Sequence, residues 1–134
     1  MKTRVLDSWP ILEWLNGREP AFTALDTLLS AAEGGHAHVL MSAINACEVY
    51  YFLKKKRRHD AAENWRLASG TLPVRIDVPK AENIWAAAEL KGAFTISYAD
   101  AFAAELAQRI GCPLITGDPE FQNVTNLQLE WAGD

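Results

Sequence analysis

Few residues typical of secreted, membrane-spanning or zinc-binding proteins occur in this chain. Two cysteines and three histidines in 134 residues are too few for a disulfide framework or a Cys and His metal site. No uncharged apolar run approaches the ~20 residues that span a bilayer, and the charged start lacks a signal-peptide core after it. These absences predict a soluble, cytoplasmic protein in which Cys47 and Cys112 are ordinary buried thiols.

An excess of positive charge is also missing. The net charge of −4 argues against a protein that coats nucleic acid by electrostatic attraction alone. The densest basic run, Lys54 to His59, comes at the end of a predicted helix, and we interpret it chiefly as a solvated helix end. A phosphate-contacting edge is the alternative interpretation.

Apolar periodicity predicts a single α/β domain over residues 1–134. Short β-branched segments predict strands at about 3–7, 37–42, 73–78, 113–116 and 126–130. Amphipathic segments predict helices at 20–33, 43–58, 60–69, 79–91 and 97–110. Glycine is expected to end four of these helices, at Gly34, Gly70, Gly92 and Gly111. Alternating strands and helices predict a short, mostly parallel sheet of about five strands, flanked by helices as a three-layer sandwich.

Four acidic residues stand where this fold places ligands, near the carboxyl ends of strands and the starts of helices. Asp7 and Asp118 each follow a predicted strand, Asp100 opens a late helix, and Glu48 lies inside an apolar helix. Each Asp is also a good helix cap or first-turn acid, with Ser97 as the cap residue before Asp100. Glu48 is harder to explain, because no Lys or Arg stands three or four residues from it. Its carboxylate therefore needs a distant cation, a shared proton or a metal ion.

In order and spacing, the segments around these acids resemble the PIN domain, in its VapC toxin branch. The segments are Val5-Leu6-Asp7-Ser8, Ser42-Ala43-Ile44-Asn45-Ala46-Cys47-Glu48-Val49, Ser97-Tyr98-Ala99-Asp100-Ala101 and Ile115-Thr116-Gly117-Asp118-Pro119-Glu120-Phe121. The resemblance covers nearly the whole chain and implies a PIN-like sandwich fold. It also implies that Asp7, Glu48, Asp100 and Asp118 bind Mg²⁺ or Mn²⁺ for RNA hydrolysis, leaving a 5′-phosphate and a 3′-hydroxyl. Ser8, Asn45 and Thr116 would support these acids without binding the ion.

The same resemblance implies two kinds of protein partner. A VapB-type antitoxin would block the site with its C-terminal segment, and the toxin would form a homodimer that assembles with antitoxin into a heterotetramer or larger complex. Helices of the first half are expected to offer apolar grooves, with Trp14, Phe22, Leu25 and Tyr51 as contact residues or core residues. The RNA that is cut stays open, as does the number of metal ions.

Trp9 is the main departure from the family pattern, which commonly has a small hydroxyl residue at this position. An indole next to Asp7 could stack on a base, or it could mark a catalytically silent module that only binds RNA or protein. His36 and His38 are expected to be surface residues, and no Gly-rich phosphate loop or nucleophile elbow occurs. The acid-only ligand set favours Mg²⁺ or Mn²⁺ over Zn²⁺.

Overall fold

Five short apolar segments pair side by side as one wholly parallel sheet in the computed structural model, which describes residues 1–132. In chain order the strands are β1 Lys2–Leu6, β2 Ala37–Ser42, β3 Arg75–Asp77, β4 Leu114–Thr116 and β5 Leu129–Trp131. Their order across the sheet is β3-β2-β1-β4-β5. Strands β2 and β3 therefore lie on one side of β1, and β4 and β5 lie on the other. The predicted α/β fold with about five strands is confirmed.

Six α-helices cover the two faces of the sheet. They are α1 Ser8–Leu15, α2 Ala21–Glu33, α3 Ala43–Lys55, α4 His59–Ala68, α5 Ala81–Ala93 and α6 Tyr98–Ile110, and a short 3-10 helix spans Pro119–Asn123. Alternate residues of β1 explain the layering, because Leu6 packs in the core beneath α1 to α4, whereas Val5 packs beneath α6. Among residues 1–132, no helix combines the length and apolar character needed to cross a membrane.

Several predicted boundaries need correction. The sequence pattern assigns no element to the stretch that forms α1, because Pro10 interrupts the helical pattern. In the structure Pro10 lies in the first turn of α1, where a backbone N–H would have no partner within the helix. Gly92 does not end α5, which continues to Ala93, and α3 stops at Lys55 before Arg57 takes a left-handed φ of 58°. Gly111 does end α6, with a φ of 77°.

The two cysteines differ in burial. Both are free thiols, as predicted, and Cys112 is buried in the core beneath α6. Cys47 is exposed, which makes the prediction of a buried thiol wrong for this residue. It lies on the solvent side of α3, next in sequence to the inward-facing Ala46 and Glu48.

Candidate active site

Strands β1 and β4 are parallel neighbours, so the residues that follow them meet at one edge of the sheet. Leu6 is in register with Ile115, and the Asp7 N–H donates to the carbonyl of Ile115 at 3.1 Å. Asp7 then caps α1, and Asp118 caps the 3-10 helix by accepting from the Glu120 N–H at 2.9 Å. Both predicted cap geometries are therefore present, and the same geometry brings the two acids to one edge.

The Thr116 hydroxyl links these two acids. It donates to Asp7 Oδ2 at 2.7 Å and accepts from the Asp118 N–H at 2.9 Å. The other oxygen of Asp7, Oδ1, accepts from the Ser8 N–H at 2.7 Å. Both oxygens of the fully buried Asp7 thus have a donor, and Thr116 fixes the turn that carries Asp118 relative to Asp7.

Helix α3 supplies Glu48 and Asn45, three residues apart on its buried face. Asn45 is fully buried, and its Nδ2 donates to the carbonyl of Ala99 at 3.0 Å, which ties α3 to the first turn of α6. Glu48 is 7% exposed. Two atoms on this face, Asn45 Oδ1 and Glu48 Oε1, are buried without a hydrogen-bond partner among the described residues. Buried polar atoms normally have partners, so these two indicate that something else satisfies them.

Helix α6 begins with Ser97 as the predicted cap, whose Oγ accepts from the Asp100 N–H at 3.1 Å. This leaves the Asp100 carboxylate free to face the loop after β4. Carboxylate oxygens of Asp100, Asp118 and Glu120 all lie within 4.8 Å of one another. Glu120 is therefore a further acid of the site, beyond the four that the sequence predicts. Its position two residues after Asp118, at the start of a helix, is the sequence signal that could have identified it.

The carboxylates interact through their charges. Burial raises the pKa of Asp100 to about 8, and the charges of Asp7, Asp118 and Glu48 act in the same direction. Burial also raises the pKa of Asp7 to about 6, against the opposing effect of its hydrogen bonds from Thr116 and Ser8, while Glu48 and Asp118 raise it further. The charges of Glu48 and Asp118 therefore lie close enough to both Asp7 and Asp100 to oppose the ionisation of those two acids.

A divalent cation fits this set of ligands. Within residues 1–132, every ion pair of a Lys or Arg with an acid involves residues other than the four predicted acids. The available donors are carboxylate and amide oxygens, which hard cations such as Mg²⁺ and Mn²⁺ prefer. His36 and His38 are both exposed, as predicted for surface residues. A cation at this edge would give Glu48 Oε1 a partner and offset the repulsion.

We expect the metal-free protein to lose stability as the pH rises. Between about pH 4 and pH 8 the folded protein keeps protons on Asp7 and Asp100 that the unfolded chain has released, so the free energy of unfolding falls through this window. For Asp7 alone the shift corresponds to roughly 3 kcal/mol. Thermal unfolding from pH 5 to pH 8.5, with EDTA or Mg²⁺, measures this. Mg²⁺ should stabilise strongly at pH 8 and little at pH 5, and a metal-free Tm that increases towards pH 8 would contradict the account.

Trp9 packs directly on the turn that precedes Asp118. A Cβ built on Gly117 would lie 2.5 Å from the indole atoms Cδ2 and Cε2, so only glycine leaves room for the ring at this distance. The indole is half-buried and lines a cavity of about 680 Å³ that also contains the four acids. Trp9, at the position where the resemblance implies a small hydroxyl residue, thus contacts the turn at Gly117 without filling the cavity.

Comparisons with known proteins agree with this arrangement of an acidic edge on a parallel sheet. The VapBC2 complex of Rickettsia felis, solved with a promoter DNA fragment, has a chain similar to this one, with a TM-score of 0.74 at 18% identity over 96% of this chain and 98% of that chain. The Mycobacterium tuberculosis toxin VapC20, described as cleaving the sarcin-ricin loop, has a TM-score of 0.73 at 17% identity, over 89% of this chain and 92% of that chain. A chain of FitAB bound to a DNA fragment has a TM-score of 0.69 at 22% identity, over 98% of this chain and 96% of that chain.

These likenesses concern the fold, because the identities are low. No curated protein sequence matches the chain significantly. A family model described as PIN domain, however, matches residues 4–127, a span that runs from within β1 to just before β5 and includes all the acids of the candidate site. The chain therefore belongs to the PIN domain family.

Proposed function

We propose that this protein is a Mg²⁺- or Mn²⁺-dependent endoribonuclease that acts as the toxin of a toxin-antitoxin pair. The observation that carries the proposal is Glu48, which is buried with one oxygen unpartnered among residues 1–132, beside Asp7 and Asp100, whose pKa values burial has raised. A fold-stabilising salt bridge would have supplied a cation from the chain, whereas a hydrolytic metal site leaves that place to an ion. The fold shared with the VapC toxins supports the same conclusion.

Some residues of the site would bind the ion, and others hold those ligands in place. Asp100, Asp118 and Glu120, whose oxygens lie within 4.8 Å of one another, would hold the ion. Glu48, with its unpartnered Oε1 among the described residues, would add a ligand from α3, and Asp7, whose oxygens already accept two hydrogen bonds, would contribute charge and a further ligand. When bound there, Mg²⁺ or Mn²⁺ would supply the positive charge needed to polarise a phosphoryl oxygen and to activate a water for phosphodiester hydrolysis. Thr116 keeps Asp7 and Asp118 at a fixed separation, and Asn45 keeps Glu48 facing the start of α6.

For partners, we propose a VapB-type antitoxin, a homodimer of this chain, and their joint assembly into a heterotetramer or larger complex in the cytoplasm. Support comes from solved structures with chains similar to this one, which are described as VapBC2 of Rickettsia felis and VapBC-1 of Haemophilus influenzae. Of the residues considered for an apolar groove, Leu25 is buried in the core, whereas Tyr51 is exposed and lines the cavity. Trp85 of α5 is 74% exposed and would give a dimer an apolar side chain to bury. A solution mass of monomer alone at micromolar concentration would contradict the dimer.

Expression in cells tests the toxin activity. We expect induction of the wild-type protein to stop growth and to produce new RNA 5′ ends at defined positions, whereas Asp100→Asn produces neither. Co-expression of the antitoxin should restore growth. If the catalytically silent alternative is correct, wild type and Asp100→Asn will give the same RNA ends while both still bind RNA or protein.

A further inference from the structure

The acidic cluster occupies only one end of the 680 Å³ cavity, and the other end is lined by three cations and one acid, Glu13. The cavity lies between α1 and α3, whose first turns flank the acids. Arg18, Lys56 and Arg58 line its far end, and Trp9, Tyr51 and Phe52 are among the residues between. Lys56 stands eight positions after Glu48, just beyond the end of α3, which corresponds to about 12 Å along the helix axis. A single phosphate cannot touch both ends, but several linked nucleotides can.

We propose that this basic end is a subsite for the phosphates of single-stranded RNA flanking the bond that is cut. The proposal rests on the proposed function, to which it adds the substrate class and the residues that hold it. The acids repel a polyanion, and the protein as a whole is negative, so RNA needs a local attraction to reach the cluster. Arg18, Lys56 and Arg58 are the cations that line this cavity among the described residues.

The basic side chains are arranged for a ligand rather than for mutual neutralisation. The Arg58 guanidinium donates to Asn16 Oδ1, a neutral amide at the end of α1, and so keeps its charge beside the cavity. Arg18 approaches Glu13 only at 3.5 Å and stays 66% exposed, so this pair is weak. Lys56 follows the end of α3, where its charge also suits the helix dipole. Two members of the basic run thus lie at a cavity edge where they can contact phosphate, which favours the alternative interpretation of that run.

Aromatic rings join the two ends of the cavity. Tyr51 is exposed, Phe52 packs against it with ring centroids 5.1 Å apart, and Trp9 lies across the cavity beside Gly117. Aromatic rings beside a basic groove are the usual means of binding single-stranded nucleic acid, since every base has a face that can stack. Of these three rings Tyr51 is exposed, and Trp9 and Phe52 are half-buried. An apolar helix of a protein partner would leave the charges at both ends to be matched, whereas a polyanion with a bound cation satisfies both.

RNA binding without cleavage tests this subsite. The background is Asp100→Asn in EDTA, and the probe is a fluorescently labelled single-stranded RNA of mixed sequence, measured by anisotropy across a salt series. We expect Lys56→Gln/Arg58→Gln to weaken binding about tenfold or more at low salt and to reduce the slope of log K against log salt by about 1.4, because each contact on a single strand contributes about 0.7. Arg58→Lys should retain binding.

The matched control is Lys54→Gln/Arg66→Gln, which removes one Lys and one Arg from the same region of the fold but outside the cavity. Both of those cations lie over the Tyr50 ring, at 5.8 Å. Equal losses in the two double variants, no loss in either, or no RNA binding by the background would overturn the subsite. Unchanged RNA binding with loss of antitoxin binding would assign the groove to the protein partner instead. If wild type cuts no RNA but the cavity variant alone weakens binding, the subsite stands and the nuclease proposal fails.

Discussion

Replacing Asp100 by Asn is expected to lower the rate of RNA cleavage by about 100-fold or more while making the metal-free protein more stable at pH 8. The first effect follows because an ion ligand is lost, and such an ion contributes several kcal/mol to hydrolysis, at tenfold per ~1.4 kcal/mol. The second follows because the pKa of Asp100 is raised to about 8, so its ionisation opposes folding. Cleavage rates and Tm values at pH 5.5 and pH 8 measure both.

The combination of lower activity with higher stability separates an acidic ion site from a structural role. Asp60, an exposed acid in the first turn of α4, offers a control with the same change of charge. We expect Asp60→Asn to cut RNA at the wild-type rate and to leave the pH dependence of Tm unaltered. An Asp100→Asn protein that cleaves normally, or that loses stability at pH 8, would show that Asp100 has been assigned the wrong role.

Gly117→Ala is expected to reduce stability by about 1–3 kcal/mol and to reduce cleavage with it. The new methyl group would meet the Trp9 indole at 2.5 Å, so either the ring or the turn that carries Asp118 must move. Replacing Trp9 by Ser, the kind of small residue common in the family, removes the obstacle. The double variant Trp9→Ser/Gly117→Ala should therefore be no less stable than Trp9→Ser alone, and a double-mutant cycle measures the coupling.

A second glycine gives a control of opposite sign. Gly92 lies inside α5, where a methyl group added to its Cα would extend into open space. Gly92→Ala should therefore stabilise the protein by about 0.5–1 kcal/mol through helix propensity. If Gly117→Ala instead unfolds at the wild-type midpoint in both urea and heat, with normal cleavage, the packing of Trp9 on Gly117 does not hold the Asp118 turn.

Most of the fold is predictable from the sequence because local signals and long-range packing agree. Val5 and Leu6 are typical of a buried strand, Ser97 of a cap and Gly111 of a helix end, and each is found as such. Helix α1 is not predicted, because Pro10 interrupts its helical pattern. Packing against α2 and α3 stabilises this helix in the structure. The exposure of Cys47 could not be predicted, because it depends on which face of α3 meets the sheet.

The sequence indicates which residues are candidates for the site better than it indicates how they are arranged. Glu48 stands out in the sequence because it lacks a local partner, and the structure leaves one of its oxygens unpartnered among the described residues. The position of Glu120 two residues after Asp118 makes it a candidate, but its approach to Asp100 depends on the 3-10 helix after Asp118 and is seen only in the structure. The sequence also does not reveal that Trp9 lies on Gly117, a contact between residues more than one hundred positions apart.

Cleavage of labelled RNA by the purified protein during a Mn²⁺ titration tests the central claim most directly. The account predicts no cleavage in EDTA, cleavage that rises and saturates with Mn²⁺ for wild type and Asp60→Asn, and almost none for Asp100→Asn at any Mn²⁺ concentration. Cleavage by wild type that persists unchanged in EDTA, or equal cleavage by Asp100→Asn, would contradict a catalytic metal site formed by these acids.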